Sequence, residues 1–81
     1  MKYCAAQVKY LTAIQELSAE SEDVKSVDIA RHLGVSRSSV SKTLRCLAAS
    51  GLVYEDYAIS VVLTKEGEEA IRDIFRNFNF V

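Results

Sequence analysis

Val8, Leu11, Ile14 and Leu17 recur every third residue, with Tyr10 and Ala13 beside them. That period predicts a first helix over about Ala5–Ala19 with a single apolar face. From Ser18 to Asp23 the chain is polar and acidic and reads as a solvated loop. Ser26 follows as an N-cap for a second helix, and Asp28 stands in its first turn, where a negative charge suits the helix dipole. Ile29, Ala30 and Leu33 form the inward face of that helix, and Gly34 supplies the left-handed residue that ends it. Ser36 then caps a third helix running from Arg37 to about Ser50. On a helical wheel Val40, Leu44, Leu47 and Ala48 share one arc and must pack on the first two helices. Opposite them lie Ser38, Lys42, Arg45 and Ala49, with Ser39 and Ser41 on the flanks.

After Gly51 the periodicity changes. Leu52-Val53-Tyr54 and Ile59-Ser60-Val61-Val62-Leu63 are apolar, β-branched runs on either side of Glu55-Asp56-Tyr57-Ala58, the pattern of a two-stranded wing. Thr64 is placed to cap a last helix, Lys65 to about Asn79, whose apolar stripe is Ile71, Ile74, Phe75 and Phe78. The predicted order is helix, helix, helix, strand, strand, helix. This is a mainly α fold with a small β-hairpin, a winged helix-turn-helix occupying residues 1–81 as one domain. Its expected core is Val8, Leu11, Ile14, Ile29, Leu33, Val40, Leu44, Leu47 and Leu63.

Composition removes several classes of function. The 81 residues include no Pro and no Trp, and no repeat or low-complexity run marks a linker. No apolar stretch approaches the ~20 residues needed to span a bilayer. Met1–Gln7 lacks the apolar block of a signal peptide, so the expectation is a cytoplasmic protein without membrane contact. Cys4 and Cys46 are too few for a disulfide framework and read as reduced thiols, one of them partly packed against the core. With a single His at unrelated spacing they make no zinc pattern. No nucleophile–base pair, carboxylate dyad or Gly-rich phosphate loop occurs, so neither an enzyme nor a bound cofactor is expected.

The formal net charge is −1, which by itself argues against a nucleic-acid partner. Its distribution argues the other way. Residues 13–23 carry Glu16, Glu20, Glu22 and Asp23, whereas residues 24–45 carry Lys25, Arg31, Arg37, Lys42 and Arg45 against Asp28 alone. The positive block coincides with the predicted helix-turn-helix, and a local patch is what DNA phosphates feel. Ser36, Ser38, Ser39 and Ser41 are mediocre helix formers that a plain surface helix would avoid. Small hydroxyl residues at a helix start instead permit close approach to DNA and hydrogen bonds to phosphates or bases.

The predicted DNA-binding residues are therefore Ser36, Arg37, Ser38, Ser39, Ser41, Lys42 and Arg45, with Lys42 the base reader and Arg45 the phosphate contact. Arg31 is either a further phosphate contact or ordinary surface, and His32 covers apolar surface. The wing tip, Glu55-Asp56, is acidic, and no Lys or Arg occurs between Leu52 and Thr64, so the wing should add little affinity. Tyr54 and Tyr57 either support the hairpin or stack on a partner and donate a hydroxyl to it. Phe75, Phe78, Phe80 and Val81 exceed what one short helix can bury on so small a domain. Local packing accounts for Phe75 and one other, and the remainder suggest a partner surface.

These segments together resemble the N-terminal domain of the metal-dependent repressors of the diphtheria-toxin-repressor and manganese-transport-regulator family. The matching stretches are Tyr10–Leu17, Val27-Asp28-Ile29-Ala30 with Leu33-Gly34-Val35-Ser36, Ser39-Val40-Ser41-Lys42, Leu47 through Gly51-Leu52-Val53, and Leu63-Thr64-Lys65-Glu66-Gly67. The likeness covers about residues 7–76, and its signal lies in the joint order and spacing of individually modest motifs. It implies that base readout falls to Ser36, Ser38 and Lys42. At the positions where the family supplies metal ligands this chain has Lys9, Thr12 and the stretch Asn77-Phe78-Asn79, and it ends where the family's dimerisation helices would begin. The resemblance thus implies DNA binding without metal sensing.

The expectation is a sequence-specific transcriptional regulator, a repressor, that reads the major groove of double-stranded DNA as a homodimer formed through its C-terminal helix, without metal. Two alternatives stand beside it. One is a winged-helix module that docks on a protein partner through the apolar last helix, and the other is the DNA-binding piece of a longer metalloregulator.

Overall fold

The computed structural model describes residues 3–78. Four helices appear in the predicted order: α1 (Ala5–Glu20), α2 (Ser26–Leu33), α3 (Arg37–Ala49) and α4 (Lys65–Phe78). Their ends follow from local hydrogen bonding. The Cys4 amide at the start of α1 donates to Gln7 Oε1 at 3.2 Å. At α2 the N-cap position is Lys25, not the predicted Ser26, which is already helical. Asp28, in the first turn, reaches back to accept the Lys25 amide at 2.9 Å, so a carboxylate inside the helix satisfies the amide left free at its start. Gly34 ends α2 at φ 68°, ψ 37°, a left-handed conformation that costs a residue without Cβ little.

The end of α3 and the start of α4 are tied to one another. Gly51 takes φ 78°, and the Leu52 amide reaches back to the Leu47 carbonyl at 2.9 Å. The Thr64 hydroxyl donates to the Gly51 carbonyl at 2.6 Å and accepts the Gly67 amide at 3.0 Å. One side chain therefore caps α4 and anchors it to the turn after α3.

Leu11 and Ile14 from α1, Ile29 from α2, Val40, Leu44 and Leu47 from α3, and Ile71 and Ile74 from α4 meet in one buried cluster. Val8, Leu33 and Leu63, expected in the core, lie partly buried at its margin. Phe75 does not pack locally as its stripe predicts: it is 50% exposed, because Ala70, Ile71 and Ile74 form the buried face of α4. Phe78, Phe80 and Val81, assigned in part to a partner surface, lie outside the residues whose side chains are described. Both cysteines are exposed, so neither thiol packs against the core as one was expected to.

The predicted two-stranded hairpin does not form a ladder among the described residues. Val53 and Leu63 make an isolated antiparallel bridge, supplemented by the Tyr54 amide donating to Val62 at 3.1 Å. Beyond it, residues 55–59 coil into turns in which the Ile59 and Ser60 amides both donate to the Asp56 carbonyl. The Val61 amide donates to the Val24 carbonyl at 2.7 Å. The second run of the wing is thus drawn across to the loop between α1 and α2, and its tip turns before a regular hairpin can propagate.

Candidate nucleic-acid interface

The Gly34 turn sets α3 on α2, and burial of Val40, Leu44 and Leu47 fixes which side of α3 faces out. All seven predicted contact residues, Ser36, Arg37, Ser38, Ser39, Ser41, Lys42 and Arg45, are exposed on α3 or at its cap. They do not behave alike. Ser36 Oγ accepts the Ser39 amide at 3.1 Å and its hydroxyl also donates to Ser39 Oγ at 3.0 Å. These two serines are occupied in starting the helix. Ser38 and Ser41 make no side-chain hydrogen bond among the described residues, and Arg37, Lys42 and Arg45 make no ion pair there. Three cations and two free hydroxyls therefore share a face where no carboxylate of the described residues pairs with them.

Arg31 and Lys25, the cations of α2 and its N-cap, are differently placed. Arg31 Nη1 lies 3.8 Å from Asp28 Oδ1 on its own helix. Lys25 Nζ lies 3.2 Å from Asp23 Oδ2 and 3.3 Å from the Ile59 carbonyl, so it braces the wing against the α1–α2 loop. His32, expected only to cover apolar surface, has Nε2 at 2.9 Å from Glu16 Oε1 and links α2 to α1. Two roles escaped sequence reasoning, those of Val24 and Lys25, and for Thr64 the cap of α4 was foreseen but not its bond to the Gly51 carbonyl. Val24 directly follows the acidic stretch Ser18–Asp23 that reads as solvated loop, and it is 2% exposed. Nothing in its neighbours' polarity signals that, although an isolated Val between Asp23 and Lys25 is itself a hint.

Of the positions that the resemblance matched to metal ligands, Lys9 and Thr12 are described. Lys9 is exposed and carries an ammonium, which cannot ligate a metal ion while protonated. The Thr12 hydroxyl donates back into its own helix, to the Val8 carbonyl at 2.9 Å and the Lys9 carbonyl at 3.0 Å. Asn77-Phe78-Asn79 fall outside the described side chains. Among the described residues no three of His, Cys, Asp and Glu converge in a way that holds a metal ion. No described helix is long and apolar enough to cross a membrane.

Residues 5–58 match the family described as iron dependent repressor, N-terminal DNA binding domain. Among curated proteins, the chain is 38% identical over 64 residues to the transcriptional regulator MntR of Escherichia coli, covering 79% of this chain and 41% of that protein. The MntR protein of Salmonella typhimurium is 36% identical over the same share of each chain. The chain thus spans about two-fifths of the length of these relatives.

Proposed function

The chain belongs to the iron-dependent repressor family, in the part that is its N-terminal DNA-binding domain, and from that premise we propose that it is a sequence-specific transcriptional regulator, a repressor, acting through α3. The observation that carries this reading is the exposed α3 face, where Arg37, Lys42 and Arg45 stand without an ion pair among the described residues, in a chain whose net charge is −1. In the proposed complex the start of α3 enters the major groove, with Lys42 against a base edge and Arg45 against a phosphate. Arg37, Ser38 and Ser41 complete the contact. Ser36 and Ser39 act mainly by holding the first turn of α3 in shape.

The protein works in the cytoplasm as a homodimer through α4, which sets two recognition helices about one DNA turn, ~34 Å, apart or a multiple of it. It catalyses no reaction and needs no metal for binding. Affinity for mixed genomic DNA, titrated against salt, tests the reading. Phosphate neutralisation makes log affinity fall with log salt at about −0.9 per contacted phosphate. Absence of DNA binding at low salt would defeat the proposal and favour a protein-docking module, the reading that the acidic wing supports.

A further inference from the structure

The backbones of α3 and α4 do not run beside one another: each helix packs on α1, and their apolar residues join the shared cluster. Apolar burial is non-directional, so it does not by itself fix one orientation of α3 against α4. The directional contacts between them are gathered at one joint. The Leu52 amide donates to the Leu47 carbonyl of α3, and the Leu52 carbonyl accepts the Thr64 amide at 3.1 Å. Across the same gap the Thr64 hydroxyl donates to the Gly51 carbonyl at 2.6 Å and accepts the Gly67 amide at 3.0 Å. The Thr64 carbonyl accepts the Glu68 amide at 3.0 Å. Every polar group of Thr64 is thus bonded, either to the turn that ends α3 or to the first turn of α4. Among the described residues no other side chain makes a hydrogen bond or ion pair between α3 with its closing turn and α4.

We propose that Thr64 is a positioning residue for DNA recognition: it locks the angle between α3 and α4, and so sets which separation of two half-sites the dimer accepts. The inference rests on the homodimer reading above, in which α4 joins two copies and the start of each α3 enters a major groove. In such a dimer the spacing of the half-sites mirrors the geometry of the protein. The 13 residues of α3 make a lever of about 20 Å from the joint to the start of the helix. A tilt of about 10° at the joint would carry that start by about 3.5 Å, close to the ~3.4 Å between successive base pairs. A joint that gave by so little would let one dimer read two spacings alike. The Thr64 hydroxyl prevents this, because its donated bond holds the end of α3 while its accepted bond holds the start of α4.

The test measures affinity of the full chain for duplexes that carry the selected half-sites at the selected spacing and at one base pair more or less. The parent should lose about tenfold or more in affinity at either altered spacing. Thr64→Val keeps the β-branched shape but neither bond of the hydroxyl, and should shrink that penalty to about threefold or less while sedimentation still finds a dimer. Thr64→Ala is a second variant without the hydroxyl, and Thr64→Ser, which keeps it, should retain the parent penalty. Circular dichroism checks that each variant keeps the parent fold. A mere loss of stability lowers affinity at every spacing by the same factor and leaves the penalty unchanged. A penalty that stays at the parent value without the hydroxyl, or that falls in the serine variant, overturns the role of Thr64 and leaves the dimer standing. So does a dimeric parent that binds all three spacings alike. A parent that binds as a monomer overturns the homodimer reading and this inference with it.

Discussion

Gly67, in the first turn of α4, lies so close to the main chain of Leu52 that a Cβ there would run into the Leu52 carbonyl oxygen, at 3.1 Å from its carbon and 3.2 Å from Leu63 Cδ2. The same Leu52 carbonyl accepts the Thr64 amide at 3.1 Å. The glycine of Leu63-Thr64-Lys65-Glu66-Gly67 is thus required by contact and not by a special backbone angle. It lets α4 begin against the base of the wing.

Helix propensity alone favours Ala over Gly by about 1 kcal/mol in a helix interior. Overpacking against a backbone carbonyl that cannot rotate away should reverse the sign. Gly67→Ala is expected to lower stability by about 1–3 kcal/mol or more, read as a fall in the denaturant midpoint. A midpoint at or above that of the parent would show that α4 shifts freely on the wing.

Leu44 is fully buried where α3 meets the other helices. Leu44→Ala should lose about 2–5 kcal/mol, the transfer term plus a cavity that rigid helices fill poorly. A loss below about 1 kcal/mol would mean that α3 is rotated from the phase that also exposes Lys42 and Arg45.

Helix ends set by one residue were the most legible features: Gly34 and Gly51 need positive φ, and Ser36 caps α3 through its own hydroxyl. The arcs of α3 were equally clear, because Val40, Leu44 and Leu47 admit one helical phase. Features that depend on distant partners were not. The apolar, β-branched run Ile59–Leu63 predicts extension, but it cannot say that the Val61 amide would donate to the Val24 carbonyl instead of continuing a hairpin. Ser26 and Asp28 both suit the start of α2, and only the backbone path decides that the carboxylate reaches the Lys25 amide. At the candidate site, spacing located the right face but not the division of labour among its serines. Ser36 and Ser39 bond to one another, while Ser38 and Ser41 remain free among the described residues.

The two basic residues one turn apart on α3 should separate by assay. Lys42→Ala should cost ~1–3 kcal/mol on the selected operator, relaxing preference at one position of each half-site, with little loss on random DNA. Arg45→Ala should weaken every sequence similarly and reduce the salt slope by about one. Identical behaviour of the two variants on specific and random DNA would refute the assigned roles.

DNA binding should not depend on a transition metal. Such ions are held by deprotonated carboxylate, imidazole or thiolate ligands converging on one point. Lys9 opposes a divalent cation by charge, and the Thr12 hydroxyl is directed to the Val8 and Lys9 carbonyls. His32, the single histidine, has Nε2 against Glu16, and two residues of this kind make an incomplete site. Cys4 begins α1 and Cys46 lies on α3, both exposed and with no third donor gathered beside either among the described residues. Operator affinity measured by fluorescence anisotropy should therefore be the same in chelator as in added manganese or ferrous iron. Coupling between a regulatory ligand and DNA commonly reaches tenfold or beyond, so a gain of about tenfold on adding either metal to chelated protein would refute this prediction.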